Sequence, residues 1–120
     1  MIQHIKEPSI IKAAGVGNKI IKEYFGRINS DTSDVSIAKM NSPQGWIEPV
    51  QTPKFDEYTL VLKGKLKITT NEQEFIVNEN EAILTSMMES VQYSTPFEGG
   101  AEYIAICLPA FSPNLVNRNE

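Results

Sequence analysis

The chain has 120 residues, 41% hydrophobic and 22% charged, which fits one globular domain around a single core. A net charge of -4, with eleven scattered Lys and Arg, excludes a polyanion groove, so neither nucleic acid nor an anionic membrane surface is an expected partner. One cysteine excludes an internal disulfide, no run nears the roughly 20 apolar residues of a membrane span, and the N-terminus lacks a signal-peptide pattern, so a cytoplasmic protein is expected.

Residues 1–17 read as a weakly patterned N-terminal arm, with Gly15 and Gly17 breaking any helix. Asn18 to Arg27 is ambiguous: Ile20, Ile21, Tyr24 and Phe25 share one helical face, yet β-branched and aromatic residues equally suit a strand. From Val35 onward short strands alternate with turn signals. Val35 to Met40 and Trp46 to Pro49 come first. Tyr58 to Leu62 and Leu66 to Thr70 follow, flanking Lys63-Gly64 as a tight hairpin. Asn71-Glu72 turns into Gln73 to Val77, and Asn78-Glu79-Asn80 into Glu81 to Thr85. Val91 to Thr95 and Glu102 to Leu108 complete the set. Pro109 and Pro113 make residues 109–120 an extended, non-helical C-terminal tail. Many short strands without long helices between them describe one all-β domain over 1–120, a sandwich or jelly-roll barrel whose alternate residues face a lumen.

The segment from Gly45 to Gly64 resembles the first motif of the cupin superfamily: a glycine, a His-x-His pair, a glutamate and a closing glycine. Gly45 and Gly64 fit the glycines, Glu57 fits the glutamate, and Gln51 and Pro53 fall where the histidines would be. In the second motif Asn80, Ser86 and Met88 sit at the glycine and proline marks and Val91 falls on the histidine. WIEPVQTPKFDEYTLVLKGKL and AEYIAICLPAFSPNLVNRNE look like small single-domain bacterial cupins. The resemblance implies a double-stranded β-helix jelly roll, commonly dimeric, and makes Asn18 to Arg27 an early strand. It also implies Mn, Fe, Ni or Zn bound by three histidines and a glutamate. The reaction stays open, because such proteins include dioxygenases, isomerases, epimerases, decarboxylases and non-enzymatic sugar or effector binders.

At the positions of the three histidines stand Gln51, Pro53 and Val91. Proline and valine side chains have no ligating atom, and a glutamine carbonyl is a weak neutral ligand, so no typical metal site and no cofactor are expected. By alternation Glu57 shares a face with Thr59 and Val61; if that face is the lumen, its carboxyl needs a partner or a proton. Gln51 and Tyr93 can each donate to it, giving a polar trio in an apolar cup that would hold a small molecule. Trp46 and Glu48 share a face of their own strand. If that face is inward, Glu48 and Glu57 become neighbouring carboxylates and, with Gln51, an oxygen-rich set for a hard divalent cation. Trp46, Met87, Met88 and Phe111 are candidate rim residues. Two functions follow as expectations: a small-molecule-binding module using Gln51, Glu57 and Tyr93 with Glu48 and Trp46, or an enzyme in which Glu57 and Tyr93 perform acid–base catalysis, with or without a cation at Glu48, Gln51 and Glu57. His4 lies on the unpatterned arm and Cys107 on an apolar strand, where packing explains it. A homodimer is expected, from the resemblance and from the apolar stretch Ile20 to Phe25.

Overall fold

The computed structural model describes residues 1–119. Among the described residues are ten strands and one helical turn: β1 (Ser9–Ile11), β2 (Ile20–Phe25), β3 (Ser36–Ser42), β4 (Trp46–Ile47), β5 (Asp56–Gly64), β6 (Leu66–Thr69), β7 (Glu74–Val77), β8 (Ala82–Thr85), β9 (Gln92–Thr95), β10 (Ala101–Leu108) and α1 (Pro113–Val116). They form two antiparallel sheets, a six-stranded one in the order β1-β2-β3-β10-β5-β8 and a four-stranded one in the order β4-β9-β6-β7. This is the all-β jelly roll that the spacing of strands and turns implies, and Asn18 to Arg27 supplies strand β2 rather than a helix.

Period-two alternation places the core. On β10, Ala101, Tyr103, Ala105 and Cys107 are buried while the residues between them are half-buried; on β5, Thr59 and Val61 are buried between the exposed Tyr58 and Leu60 and the half-buried Leu62. Trp46, Val61, Leu66, Ile68, Val77, Val91, Tyr93 and Tyr103 meet between the sheets as the main core. Burying each large apolar side chain contributes about 1.5–3 kcal/mol. A smaller cluster of Phe55, Cys107 and Val116, with Phe111 edge-on to Phe55 at 6.2 Å, lies at the end of the roll where the tail returns.

Three expectations need correction. Lys63-Gly64 is not a hairpin: β5 pairs with β10 and β8, whereas β6 pairs with β7 and β9, so the chain changes sheets there. Gly64 takes φ +77°, and a side chain on it would land on the Gly100 carbonyl oxygen. The Asn71-Glu72 turn does close a hairpin, Thr70 N–H donating to the Gln73 carbonyl at 2.9 Å. The N-terminal arm contains strand β1, with Ile11 opposite Ile21 and Ser9 opposite Glu23. The tail is not extended throughout: Pro113 opens a single helical turn, where its missing N–H costs nothing. Beyond it the chain lies against residues 50–54, with Thr52 N–H donating to the Asn117 carbonyl at 3.0 Å and Asn119 N–H to the Val50 carbonyl at 2.7 Å.

Candidate functional site

The inner face of the large sheet has a run of small side chains. Across β3, β10 and β5 one row reads Ala38, Ala105, Thr59 and the next reads Ser36, Cys107, Glu57. Small residues on adjacent strands leave space that the facing sheet does not fill. The resulting cavity offers about 60 Å³ to the centre of a water molecule.

Glu57, Glu48 and Gln51 all line this cavity, from β5, from the residue after β4, and from an isolated bridge to Val91. Backbone bonds fix the last two: Glu48 N–H donates to the Tyr93 carbonyl at 3.3 Å, Gln92 Nε2 donates to the Glu48 carbonyl at 2.8 Å, and Gln51 and Val91 exchange N–H···O bonds of 2.9 Å. Glu48 and Gln51 are buried, and the Glu57 carboxyl is withdrawn from water although the residue as a whole is half-buried. Removal from water pushes the Glu48 carboxyl up to about 7, helped by the negative charge of Glu57 and opposed by Lys19 and Arg118. Burial also raises Glu57, while Lys19 and a hydrogen bond from Tyr93 pull it back.

Two expected lining residues lie elsewhere. Tyr93 does not line the cavity; it sits in the core behind Glu57, its hydroxyl 2.7 Å from Thr85 Oγ1, so the phenol joins Thr85 to Glu57. Burial and the nearby Glu57 hold that phenol well above its ordinary value, so it keeps its proton. Trp46 is 1% exposed, part of the core, with its indole N–H donated to the Ala14 carbonyl at 3.1 Å. The ring lies under Lys19, whose ammonium is 3.9 Å from its centre. Of the other rim candidates, Phe111 lines the cavity, whereas Met87 and Met88 are exposed and do not. His4 is exposed on the arm, and the buried Cys107 thiol is raised by burial and by Glu57, so it stays protonated.

The alternation of Lys19, just before β2, with Ile21 and Glu23 on it brings two further charged groups to the cavity, and the tail brings a third, Arg118. Glu23 sits at a break in the β2–β3 register, and its carboxyl occupies the space that a side chain on Gly26 would need. The i, i+2, i+4 spacing of Lys19, Ile21 and Glu23 was the available signal for two of these; Arg118, on an irregular segment, had none.

Pro53 and Val91 are buried without lining the cavity, and among the described residues no three His, Cys, Asp or Glu side chains converge as metal ligands. The set Glu48, Gln51 and Glu57 shares its space with the cations Lys19 and Arg118. A donor set with two fixed positive charges beside it does not fit a resident divalent ion. Among the described residues no helix is long and apolar enough to cross a membrane.

No family model matches the sequence. Over 99 residues the chain is 35% identical to the endoribonuclease YbeY of Myxococcus xanthus, a match that covers 82% of this chain and 34% of that protein; the chain thus spans about a third of the length of this curated relative. Among solved structures it is similar to oxalate decarboxylase of Bacillus subtilis, with a TM-score of 0.76 at 16% identity over 98% of this chain and 32% of that one. A predicted oxalate decarboxylase of Thermotoga maritima aligns with a TM-score of 0.72 at 15% identity, over 91% of this chain and 99% of that one. The EutQ protein of Clostridium difficile aligns at 0.63 with 22% identity, over 77% and 63%. At such identities the likeness concerns the fold, and the fold is that of the cupins: a double-stranded β-helix jelly roll.

Proposed function

We propose that the chain binds a small polar molecule in the cavity, held by Glu48, Gln51 and Glu57, with Tyr93 supporting Glu57 from behind. The observation that carries this reading is the inward convergence of Glu48, Gln51 and Glu57, from separate segments, on a hollow that also takes Lys19, Glu23 and Arg118 among its apolar walls. A thermal-shift screen of small acids, amines, amino acids and polyols tests it. At least one compound should raise the melting temperature of the parent protein and fail to raise that of Glu57→Gln. A panel that shifts neither, or both equally, overturns it.

A second reading, acid–base catalysis by Glu48 and Glu57, is favoured by the Glu48 carboxyl at about 7, which is poised to give or take a proton near neutrality. Endoribonuclease activity is not carried over. The match spans a third of that relative. We further propose a cytoplasmic homodimer. Besides the Ile20–Phe25 strand, the outer face of β5, β8 and β10 supports it, where Tyr58, Leu60 and Leu84 are exposed beside Ile104 and Ile106. Sedimentation showing only monomer at micromolar concentration would refute it.

A further inference from the structure

Three buried polar atoms around the cavity lack a hydrogen-bond partner among the described residues: Glu23 Oε2, Glu48 Oε2 and Arg118 Nε. The two glutamates are only 4% and 8% exposed. An isolated buried carboxylate oxygen or guanidinium N–H is costly, so each demands a complement. The demands differ in sign: the glutamates need donors and the arginine needs an acceptor.

Charge sharpens the requirement. Glu23, Glu48 and Glu57 line the same hollow as Lys19 and Arg118. Yet the ion pairs formed among the described residues, Lys39 with Glu102 and Lys67 with Glu74, lie elsewhere. The strands hold unlike charges in one cavity without letting them meet. Lys19 is held over Trp46, and Arg118 is held by the bridge between its backbone and that of Gln51. Water could fill the gap, but neutral hydrogen bonds to charged groups are weaker than those to an opposite charge. A polyol has the same shortcoming.

Resting on the reading that this cavity is the binding site, we propose that its ligand is a small zwitterion, an amino acid. Its ammonium donates to Glu48 and Glu23, and its carboxylate accepts from Arg118 and Lys19. The apolar remainder lies on Ala38 and Ala105. An ammonium beside Glu48 also favours the ionised carboxyl, so binding near pH 7 releases a proton from it; the titratable and charged groups that share this environment are Lys19, Glu23, Glu57, Tyr93, Cys107 and Arg118.

Isothermal titration of the full chain with glycine, L-alanine and β-alanine tests the proposal, with propionate, propylamine and glycerol as half-ligands and neutral control. At least one amino acid should bind tenfold or more tighter than every control. Its binding at pH 7 should release protons, read from the dependence of the heat on buffer ionisation. Glu48→Gln should weaken binding at least tenfold and abolish the proton release, and Arg118→Met should weaken binding to a similar degree. Should Glu48→Gln fail to fold by circular dichroism, Glu23→Gln carries the same affinity test. If propionate, propylamine or glycerol binds as tightly as the amino acids, the zwitterion is wrong and the cavity remains a binding site. If amino acids bind with unchanged affinity in Glu48→Gln and Arg118→Met, the assigned contacts are wrong. If no compound of this panel or of the wider screen binds, both the zwitterion and the binding site fall.

Discussion

Glu48→Gln separates the charge of this residue from its shape. The Glu48 carboxyl titrates from 4.5 in the open chain to about 7 in the folded protein. The folded value is the higher one, so the native state holds an extra proton between those limits and stability falls as pH rises through them. The rise from 4.5 to about 7, at about 1.4 kcal/mol for each step of one in pH, makes the full loss about 3–4 kcal/mol, nearly complete by roughly pH 8. Glutamine is close in shape to the protonated acid and cannot ionise. The variant should therefore come close to the parent near pH 4.5 and exceed it by up to about 3–4 kcal/mol at pH 8. Because Glu57 and Glu48 repel, Glu57 in the variant titrates at lower pH, and the gain near pH 6 is partly shared between the two sites. Urea denaturation of both proteins at half-unit steps from pH 4.5 to 8 measures the difference. A constant difference across that range, or a variant less stable at pH 8 than the parent, would refute the claim that Glu48 is desolvated and unpaired.

Other changes probe the surroundings. Tyr93→Phe removes the 2.7 Å bond to Thr85 and the bond to Glu57, which should cost about 1–3 kcal/mol in urea denaturation and raise the Glu57 carboxyl further, visible by carbon NMR of labelled glutamate. Gly64→Ala forces a side chain into positive φ and onto the Gly100 carbonyl; a loss of about 2 kcal/mol or more is expected, and a neutral result would mean that the crossover between sheets is built differently. Ile68→Ala, at a fully buried position between the sheets, should cost about 2–5 kcal/mol by the same assay.

Much of the architecture was legible because the strands alternate. Tyr58-Thr59-Leu60-Val61 announces one buried face, and extending the period back by one step turns Glu57 inward, where it lies. The same reasoning set Trp46 and Glu48 on one face. It did not reveal that a large ring at that position is consumed by the core, while the shorter acid one step further reaches the cavity. Lys63-Gly64 read as a hairpin because a glycine at positive φ serves a tight turn and a change of sheet equally well; which strand lies alongside depends on residues some forty positions away. Lys19 and Glu23 were hidden by an ambiguity of period, since the run that alternates along β2 also fits a helical face. Arg118 was out of reach of any periodicity: its place is fixed by backbone bonds between the tail and residues 50–52.

Under the proposed binding role, what the cavity recognises and how much it admits are governed by different side chains. The charged groups stand on the walls, while the free volume comes from alanines and a serine on two adjoining strands. Exchanging Ala38 or Ala105 for a bulkier aliphatic would shorten the longest guest admitted and leave every ionic group where it is. Selection could thus adjust guest length one methylene at a time, keeping the same chemical grip on the ends of the molecule.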